Sequence, residues 1–149
     1  MYSKDNLVYI LTILEAIEKI FIYSGQFENA NVFFQANDQL NYNASNNLLL
    51  AIGEESKKIN SQLKNEFGSI PWIQIAQFRN RLAHDYRGID PEVIYNIIQG
   101  YFPDLREVLV QMIDKLEANT QHILQQALFS DFYKHLVYLR SDTDRESEL

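Results

Sequence analysis

The chain contains no cysteine among its 149 residues, so neither a disulfide nor a thiolate metal site can form. It also lacks an apolar run long enough to cross a bilayer, and Lys4 and Asp5 interrupt any signal-like start. Its hydrophobic content of 46% is ordinary for a globular protein. These features predict a soluble, cytoplasmic protein without membrane contact.

Several motifs of catalytic chemistry are absent as well. The sequence has no glycine-rich loop that could cradle a phosphate and no serine or cysteine nucleophile motif. It has no set of three converging metal ligands, because His122 and His135 stand in a stretch with no supporting cluster of acids or cysteines. We therefore predict no cofactor and no metal, and we interpret both histidines as structural or surface residues.

Basic charge is scarce but concentrated. The net charge of −7 argues against a general nucleic-acid binder. Residues 57–87 nevertheless hold six basic and two acidic side chains, a local balance of +4, so the remainder carries −11. A basic patch on an acidic body suits contact with a few phosphates. For Lys57, Lys58 and Lys64 individually, a solvated surface charge remains the alternative.

The length and the apolar spacing predict one all-α domain, an antiparallel bundle of about five helices. Its predicted boundaries are residues 1–140, followed by a polar, disordered tail at 141–149. A loop with one helical turn is expected at 26–37. The predicted helices run from about Ser3 to Tyr23, Asp38 to Phe67, Pro71 to His84 or Tyr86, Pro91 to Gln99, and Pro103 onward to Leu139, as one helix or two.

The third predicted helix carries unusual side chains on the face that should meet other helices. Arg79 lies on a stripe with apolar residues and Tyr86, and no carboxylate stands three or four residues away from it. A buried arginine needs a partner. Either an acid from another helix pairs with Arg79, or the guanidinium is free to bind an anion. Gly53, inside the second helix, predicts a close helix approach.

The spacing Arg79, His84, Tyr86 resembles the R-x4-H-x-Y motif of HepT-type HEPN ribonuclease toxins. The segment 47–54, ending in Ile-Gly-Glu, is similar to the helix that precedes the motif in that family. Ile70-Pro71-Trp72 and Gly88-Ile89-Asp90 also match the pattern, and the resemblance covers roughly residues 1–116. It implies a HEPN-like bundle, a symmetric dimer with a composite site, and RNA as substrate, with transfer RNA suggested by the family alone.

Arg79 and His84 are suited to cleaving RNA. A guanidinium fork matches phosphate oxygens, and an imidazole can accept and donate a proton near neutral pH. RNA carries its own nucleophile, the 2′-hydroxyl, so the reaction needs no metal. The predicted products are a 2′,3′-cyclic phosphate and a 5′-hydroxyl. Asn80 and Arg81 are predicted supporting residues: Asn80 could hold His84 or cap the helix, and Arg81 could contact phosphate or be ordinary surface charge.

Helix geometry complicates a single-chain site. Five residues rotate a side chain by about 140° around an unbroken helix, so Arg79 and His84 would not face one phosphate. Either the helix ends near Ala83, or two chains contribute to one cleft. We favour a two-fold dimer, which could assemble further, because a lone histidine would leave either the base or the acid role unfilled.

Tyr86 is by composition alone a core or interface tyrosine. The family resemblance implies another role, as the site where a partner antitoxin, an MntA-type nucleotidyltransferase, attaches adenylate. An anionic group beside Arg79 would block RNA. The predicted function is therefore a metal-independent endoribonuclease toxin of a HepT/MntA-type toxin–antitoxin system. The alternatives are a non-catalytic nucleotide- or substrate-binding subunit for a nucleotidyltransferase, and a purely structural bundle in which Arg79 pairs with Glu54 or Glu55.

Overall fold

The computed structural model describes residues 1–141, which form seven α-helices and three short 3-10 helices. No strand occurs within that range, where the isolated bridge between Tyr2 and Leu116 is the strand-like pairing. The predicted all-α bundle is confirmed, with more helices than expected. The predicted disordered tail lies outside the described residues, apart from Ser141. The α-helices are α1 Asp5–Ser24, α2 Ala30–Lys58, α3 Ser61–Glu66, α4 Trp72–His84, α5 Pro91–Gly100, α6 Phe102–Ile113 and α7 Thr120–Ala127.

Helix α1 is the centre of the bundle. Its apolar residues recur at helical spacing, and Ile10, Ile17 and Ile20 are completely buried. It packs against α2 on one side and α6 on another. The predicted first helix is thus confirmed within two residues at its start.

Helix α2 begins earlier than predicted and is kinked. Asn29 caps it by accepting a hydrogen bond from the Val32 amide, so the expected loop is largely helical. The kink spans residues 36–39, where Asn37, Asp38 and Gln39 have φ of 50°, 57° and 66°. Asparagine and aspartate tolerate this left-handed region better than most residues, which fits the kink to this sequence.

The second helix also ends sooner than predicted, at Lys58 instead of Phe67. Asn60 starts α3 because its side chain accepts from the amides of Gln62 and Leu63. The Asn60 amide in turn donates to the side chain of Asn6 on α1. The apolar residues on both sides of this break keep helical spacing, so periodicity alone could not show it.

The C-terminal part turns back on the bundle. Helix α6 ends at Ile113, and the amide of Tyr2 donates to Lys115 while the amide of Glu117 donates to Tyr2. A continuous helix to Leu139 is therefore wrong, and α7 is followed by 3-10 helices at Asp131–Tyr133 and Val137–Leu139. His135 is structural: its Nδ1 lies 2.5 Å from Oε1 of Glu15, a buried residue of α1.

Within residues 1–141, the helices are all too short or too polar to cross a membrane.

Candidate functional site

Helix α4, which carries the Arg-x4-His spacing, packs mainly on one neighbour, α2. It starts where the indole of Trp72 donates to the carbonyls of Lys64 and Phe67, which fixes the helix to the end of α3. Leu82 is its one fully buried residue. The predicted helix is confirmed, and most of its surface faces away from the core.

Gly53 lets α2 and α4 meet closely. A Cβ placed at Gly53 would lie 2.6 Å from Cγ of Arg79 and nearer still to its Cβ. No larger residue fits there without moving the arginine, so the predicted close approach is confirmed. The stem of Arg79 is therefore held against the α2 backbone, and the position of its guanidinium is set by helix packing.

The guanidinium meets an acid from another helix. Nε of Arg79 lies 2.5 Å from Oε1 of Glu54, the residue after Gly53. This is the pairing of the structural alternative, yet the two side chains remain 27% and 43% exposed. Nε is itself buried and makes no aligned hydrogen bond within the described residues. Arg79 is thus paired at the surface, not enclosed in the core.

Asn80 and Lys57 join this pair. The side-chain oxygen of Asn80 accepts from Nη1 of Arg79 at 3.3 Å and from Nζ of Lys57 at 3.4 Å. Lys57 also lies 3.6 Å from Oε1 of Glu54. Within residues 1–141, Asn80 makes no hydrogen bond with His84, the role considered for it above. The sequence placed Lys57 in the basic patch, with an ordinary surface charge as the alternative, and did not predict its contact with Asn80; its place one turn after Glu54 was the available signal.

His84 is the last residue of α4 and is exposed. The amide of Asp85 still donates to the carbonyl of Arg81, so helical bonding continues past His84. Arg79 and His84 therefore keep the separation of about 140° around the axis that an unbroken helix imposes. Within one chain, the two side chains therefore leave α4 in different directions. Arg81 donates to the carbonyl of Gly88 and closes the turn that follows.

Tyr86 lies beyond the end of α4, in the 3-10 helix Tyr86–Gly88, so it does not continue the α-helical stripe of Arg79. Its hydroxyl donates to the side-chain oxygen of Asn43 and lies 3.5 Å from Nδ2 of Asn46, both on α2. The ring packs near Tyr42 and is 40% exposed. Sequence reasoning missed these asparagines because nothing in their own spacing indicates a tyrosine from another element.

The residues of α2 that contact Arg79 and Tyr86 have the same spacing along the chain as Arg79 and Tyr86 themselves. Arg79 contacts Gly53, and Tyr86 contacts Asn46. Tyr86 follows Arg79 by seven residues, and Asn46 precedes Gly53 by the same number. Seven residues are nearly two full turns, about 10 Å along the axis, and they return to the same face of the helix. Arg79 and the Tyr86 hydroxyl thus lie along one side of α2.

An apolar groove of about 710 Å³ runs beside α4. Its walls come from both sides of the turn between α4 and α5, including Ile75 and Phe78 on α4 and Val93, Ile97 and Tyr101 near α5. Val93 and Tyr101 are 41% and 61% exposed. The groove is therefore open to solvent at an apolar edge formed by these two residues.

Comparison with known families assigns this architecture. Residues 13–112, which include Gly53, Glu54 and the whole of α4, match the family described as Ribonuclease HepT-like. The match places the chain among the ribonucleases. More narrowly, the chain belongs to the HepT-like ribonuclease family.

Individual relatives agree with this assignment. A Methanocaldococcus jannaschii protein named as a "putative RNase" is 27% identical over 123 residues, which cover 82% of this chain and 98% of that protein. A second protein of that organism, named as a gamma-glutamylcyclotransferase and "putative RNase", is 27% identical over 116 residues; this chain spans 51% of its length. The "Probable ribonuclease HepT" of Thermococcus cleftensis is 36% identical over 55 residues, covering 37% of this chain and 50% of that protein. No solved structure gives a significant match.

Proposed function

We propose that this ribonuclease is a metal-independent endonuclease that acts as the toxin of a HepT/MntA-type toxin–antitoxin system. The observation that carries the proposal is the placement of Arg79. Gly53 fixes its stem, its guanidinium stays partly exposed, and His84 stands on the same exposed helix. A fixed cation can stabilise the phosphorane, and an imidazole can take the proton from the 2′-hydroxyl, so each chain supplies two of the groups that this cleavage uses.

In the proposed reaction, His84 takes the proton from a ribose 2′-hydroxyl. The 2′-oxygen forms a bond to the adjacent phosphorus, and the bond from phosphorus to the 5′-oxygen breaks. The departing 5′-oxygen receives a proton from a second, protonated imidazole. Arg79 stabilises the negative charge that builds on the phosphorane oxygens. The products are a 2′,3′-cyclic phosphate and a 5′-hydroxyl, and DNA, which lacks the 2′-hydroxyl, is not cut.

A second copy of the chain supplies the missing imidazole in this proposal. Because α4 stays helical through His84, Arg79 and His84 of one chain diverge around the axis. A two-fold dimer across the exposed side of α4 would bring two of each into one cleft. The apolar groove beside α4 supports such a contact, since a second copy would cover Val93 and Tyr101.

Adenylylation of Tyr86 is the proposed mode of neutralisation. Tyr86 is 40% exposed, and its hydroxyl lies about 10 Å along α2 from the level of Arg79. An adenylate there would add negative charge and bulk on the side of α2 that holds Arg79, which would compete with an RNA phosphate. A nucleotidyltransferase of the MntA type is the proposed partner.

The alternative function is a non-catalytic subunit that binds a nucleotide or substrate for a nucleotidyltransferase, and the Arg79–Glu54 pair, which was predicted for a purely structural bundle, is compatible with it. The two functions differ in their need for proton transfer. We expect that inducing the wild-type chain in cells fragments RNA and stops growth, and that His84→Ala abolishes both while the protein stays folded. His122→Ala, an exposed histidine on α7, is the control. Toxicity that persists in His84→Ala would favour the binding subunit.

Metal independence and product chemistry are tested with purified protein. RNA cleavage should continue in excess EDTA and should leave ends that a 2′,3′-cyclic phosphodiesterase opens. Loss of cleavage in EDTA, restored by Mg²⁺, would contradict the proposed reaction. A substrate with a single 2′-deoxy position at the cleavage point should resist, because it lacks the nucleophile.

The dimer is tested at the groove. Val93→Glu places a charge in it, whereas Val8→Glu places the same charge on the exposed side of α1, where the valine is 54% exposed. Sedimentation should show a dimer for the wild type and Val8→Glu, and a folded, inactive monomer for Val93→Glu. A wild-type monomer that still cuts RNA would overturn the composite site.

The role of Tyr86 is tested by co-expression with an MntA-type nucleotidyltransferase. The partner should neutralise the wild type and Tyr133→Phe, a control at a partly exposed tyrosine of the C-terminal segment, but not Tyr86→Phe. Mass spectrometry should find adenylate on a peptide containing Tyr86. Neutralisation of Tyr86→Phe by adenylylation elsewhere would rule out this site.

A further inference from the structure

Two cations of the site share the same two oxygens. Oε1 of Glu54 lies 2.5 Å from Nε of Arg79 and 3.6 Å from Nζ of Lys57. The side-chain oxygen of Asn80 lies 3.3 Å from Nη1 of Arg79 and 3.4 Å from Nζ of Lys57. Lys57 and Arg79 come from different helices, so only the packing of α4 on α2 brings them together.

The charges of this group do not balance. Two full positive charges face one carboxylate and one neutral amide, which leaves a net charge of +1. All three charged side chains are between 27% and 43% exposed, and ion pairs of that exposure are weak and easily exchanged. The buried Nε of Arg79 also lacks an aligned acceptor. The group therefore carries excess positive charge and is accessible to an anion that binds it more strongly than Glu54 does.

The position of the Glu54 carboxylate indicates which kind of anion could take its place. A single oxygen of Glu54 contacts both cations, and a non-bridging phosphate oxygen can make the same two contacts. Asn80 holds the cations side by side through its carbonyl and adds no competing charge. We propose that Lys57 and Arg79 together bind the phosphodiester of RNA, and that Glu54 occupies the place of that phosphate when no RNA is bound. This inference rests on the proposed ribonuclease function.

Lys57 then contributes to binding and takes no part in proton transfer. Its neighbour Lys58 provides a matched control, because it carries the same charge but faces another element. Nζ of Lys58 lies 2.9 Å from Glu55 and 5.8 Å from the ring centre of Tyr9 on α1. A general effect of positive charge would be equal for the two lysines, whereas a phosphate contact is specific to Lys57.

Binding is measured with a fluorescent single-stranded RNA oligonucleotide and chains that also carry His84→Ala, which prevents cleavage. Lys57→Ala should weaken binding about tenfold in low salt. It should also make the slope of log affinity against log salt shallower by about 0.7, the change for one phosphate contact to a single strand. Lys58→Ala should stay within about twofold with an unchanged slope. Equal losses for both lysines would overturn the proposal.

The place-holding role of Glu54 predicts the opposite direction. Glu54→Gln should tighten RNA binding about fivefold, since the competing carboxylate is gone while the side-chain shape is kept. Glu55→Gln removes the same charge beside Lys58 and should change little. If Glu54→Gln weakens binding, the carboxylate serves to hold Arg79 in position and this part of the inference is wrong.

Cleavage by chains with intact His84 separates this inference from the proposed function. If the wild type cuts RNA, Lys57→Ala should raise KM and leave kcat within about threefold. Active enzyme with no difference between the two lysine variants would overturn the inference alone. RNA binding that depends on Lys57 without any cleavage would overturn the proposed function alone. A wild-type chain that neither binds nor cuts RNA would overturn both.

Discussion

Helices α1 and α4 each contribute to a polar side-chain pair of the same length, and the glutamates of the two pairs differ in burial. In α1, Oε1 of Glu15 lies 2.5 Å from Nδ1 of His135, and the glutamate side chain is 5% exposed. In α4, Nε of Arg79 lies 2.5 Å from Glu54, whose side chain is 43% exposed. The helices differ in the same way: 11 of 20 residues are buried in α1, but one of 13 in α4.

This difference assigns separate tasks to the two helices. Removing His135 would be costly, because it takes a hydrogen-bond partner from the buried carboxylate of Glu15, although the His135 side chain is itself 28% exposed. An exposed pair contributes little to stability and can be exchanged for another ligand. We therefore expect changes in α1 to alter mainly the free energy of unfolding, and changes in the polar face of α4 to alter mainly RNA cleavage.

The largest expected effect is on activity. Arg79→Ala should reduce RNA cleavage by about 10²- to 10³-fold, because it removes the charge that stabilises the phosphorane. Its free energy of unfolding, measured in urea, should change by less than about 1 kcal/mol, as expected for an exposed pair. Arg79→Lys keeps the charge without the fork and should recover part of the activity. If Arg79→Ala unfolds the protein, the Arg79–Glu54 pair matters as much for stability as a buried contact, and the expected difference between α1 and α4 is wrong.

The next effect is on stability. Ile17→Ala in α1 removes a completely buried side chain and should destabilise the protein by about 2–5 kcal/mol. Ile73→Ala in α4 makes the same chemical change at a position that is 71% exposed, and should cost less than about 0.5 kcal/mol in the monomer. Urea unfolding at low protein concentration measures both. Similar losses would mean that α4 is buried against something the single chain does not show.

His135→Ala tests the pair of Glu15 and His135 itself. Among residues 1–141, the Glu15 carboxylate would keep the His135 backbone amide as its donor, so we expect a loss of about 2 kcal/mol. His122→Ala, on exposed α7, should be neutral. RNA cleavage by both variants should match the wild type below their unfolding temperatures. A strong loss of activity in His135→Ala would connect the C-terminal segment to the site.

The smallest expected stability effect is at the contact between α2 and α4. Alanine normally favours a helix over glycine, yet Gly53→Ala should destabilise by about 1–2 kcal/mol, because its Cβ collides with Arg79. Gly100→Ala, at the end of α5 with open space around it, should be neutral or slightly stabilising. Cleavage should fall in Gly53→Ala alone. A stable, active Gly53→Ala would show that Arg79 needs no fixed stem.

The sequence predicted the structural features that depend on residues close together along the chain. The helical period of the apolar residues predicted α1, and helix terminators predicted the limits of α4. The lack of a side chain at Gly53 predicted the close approach there. The break at Asn60 and the turn after Ile113 were not predicted. They depend on Asn6 and Tyr2, which bond to the chain across long separations.

The site was only partly predictable for the same reason. Arg79, His84 and Tyr86 were found by their spacing, and their catalytic and acceptor roles stay predictions. The partners of these residues lie on α2: Lys57 beside Asn80, and Asn43 beside the Tyr86 hydroxyl. Spacing within one helix does not give the register between two helices. That register was indicated only by Gly53, where the lack of a side chain marks the contact.

The one-sided packing of α4 has a consequence for its motion. A helix that rests mainly on a single neighbour can detach in a local opening, well before the rest of the bundle unfolds. Backbone amides of α4 should therefore exchange with deuterium sooner than those of α1. If a second copy covers α4, raising the protein concentration will slow that exchange. Helix α4 will then be more rigid in the dimer than in the single chain.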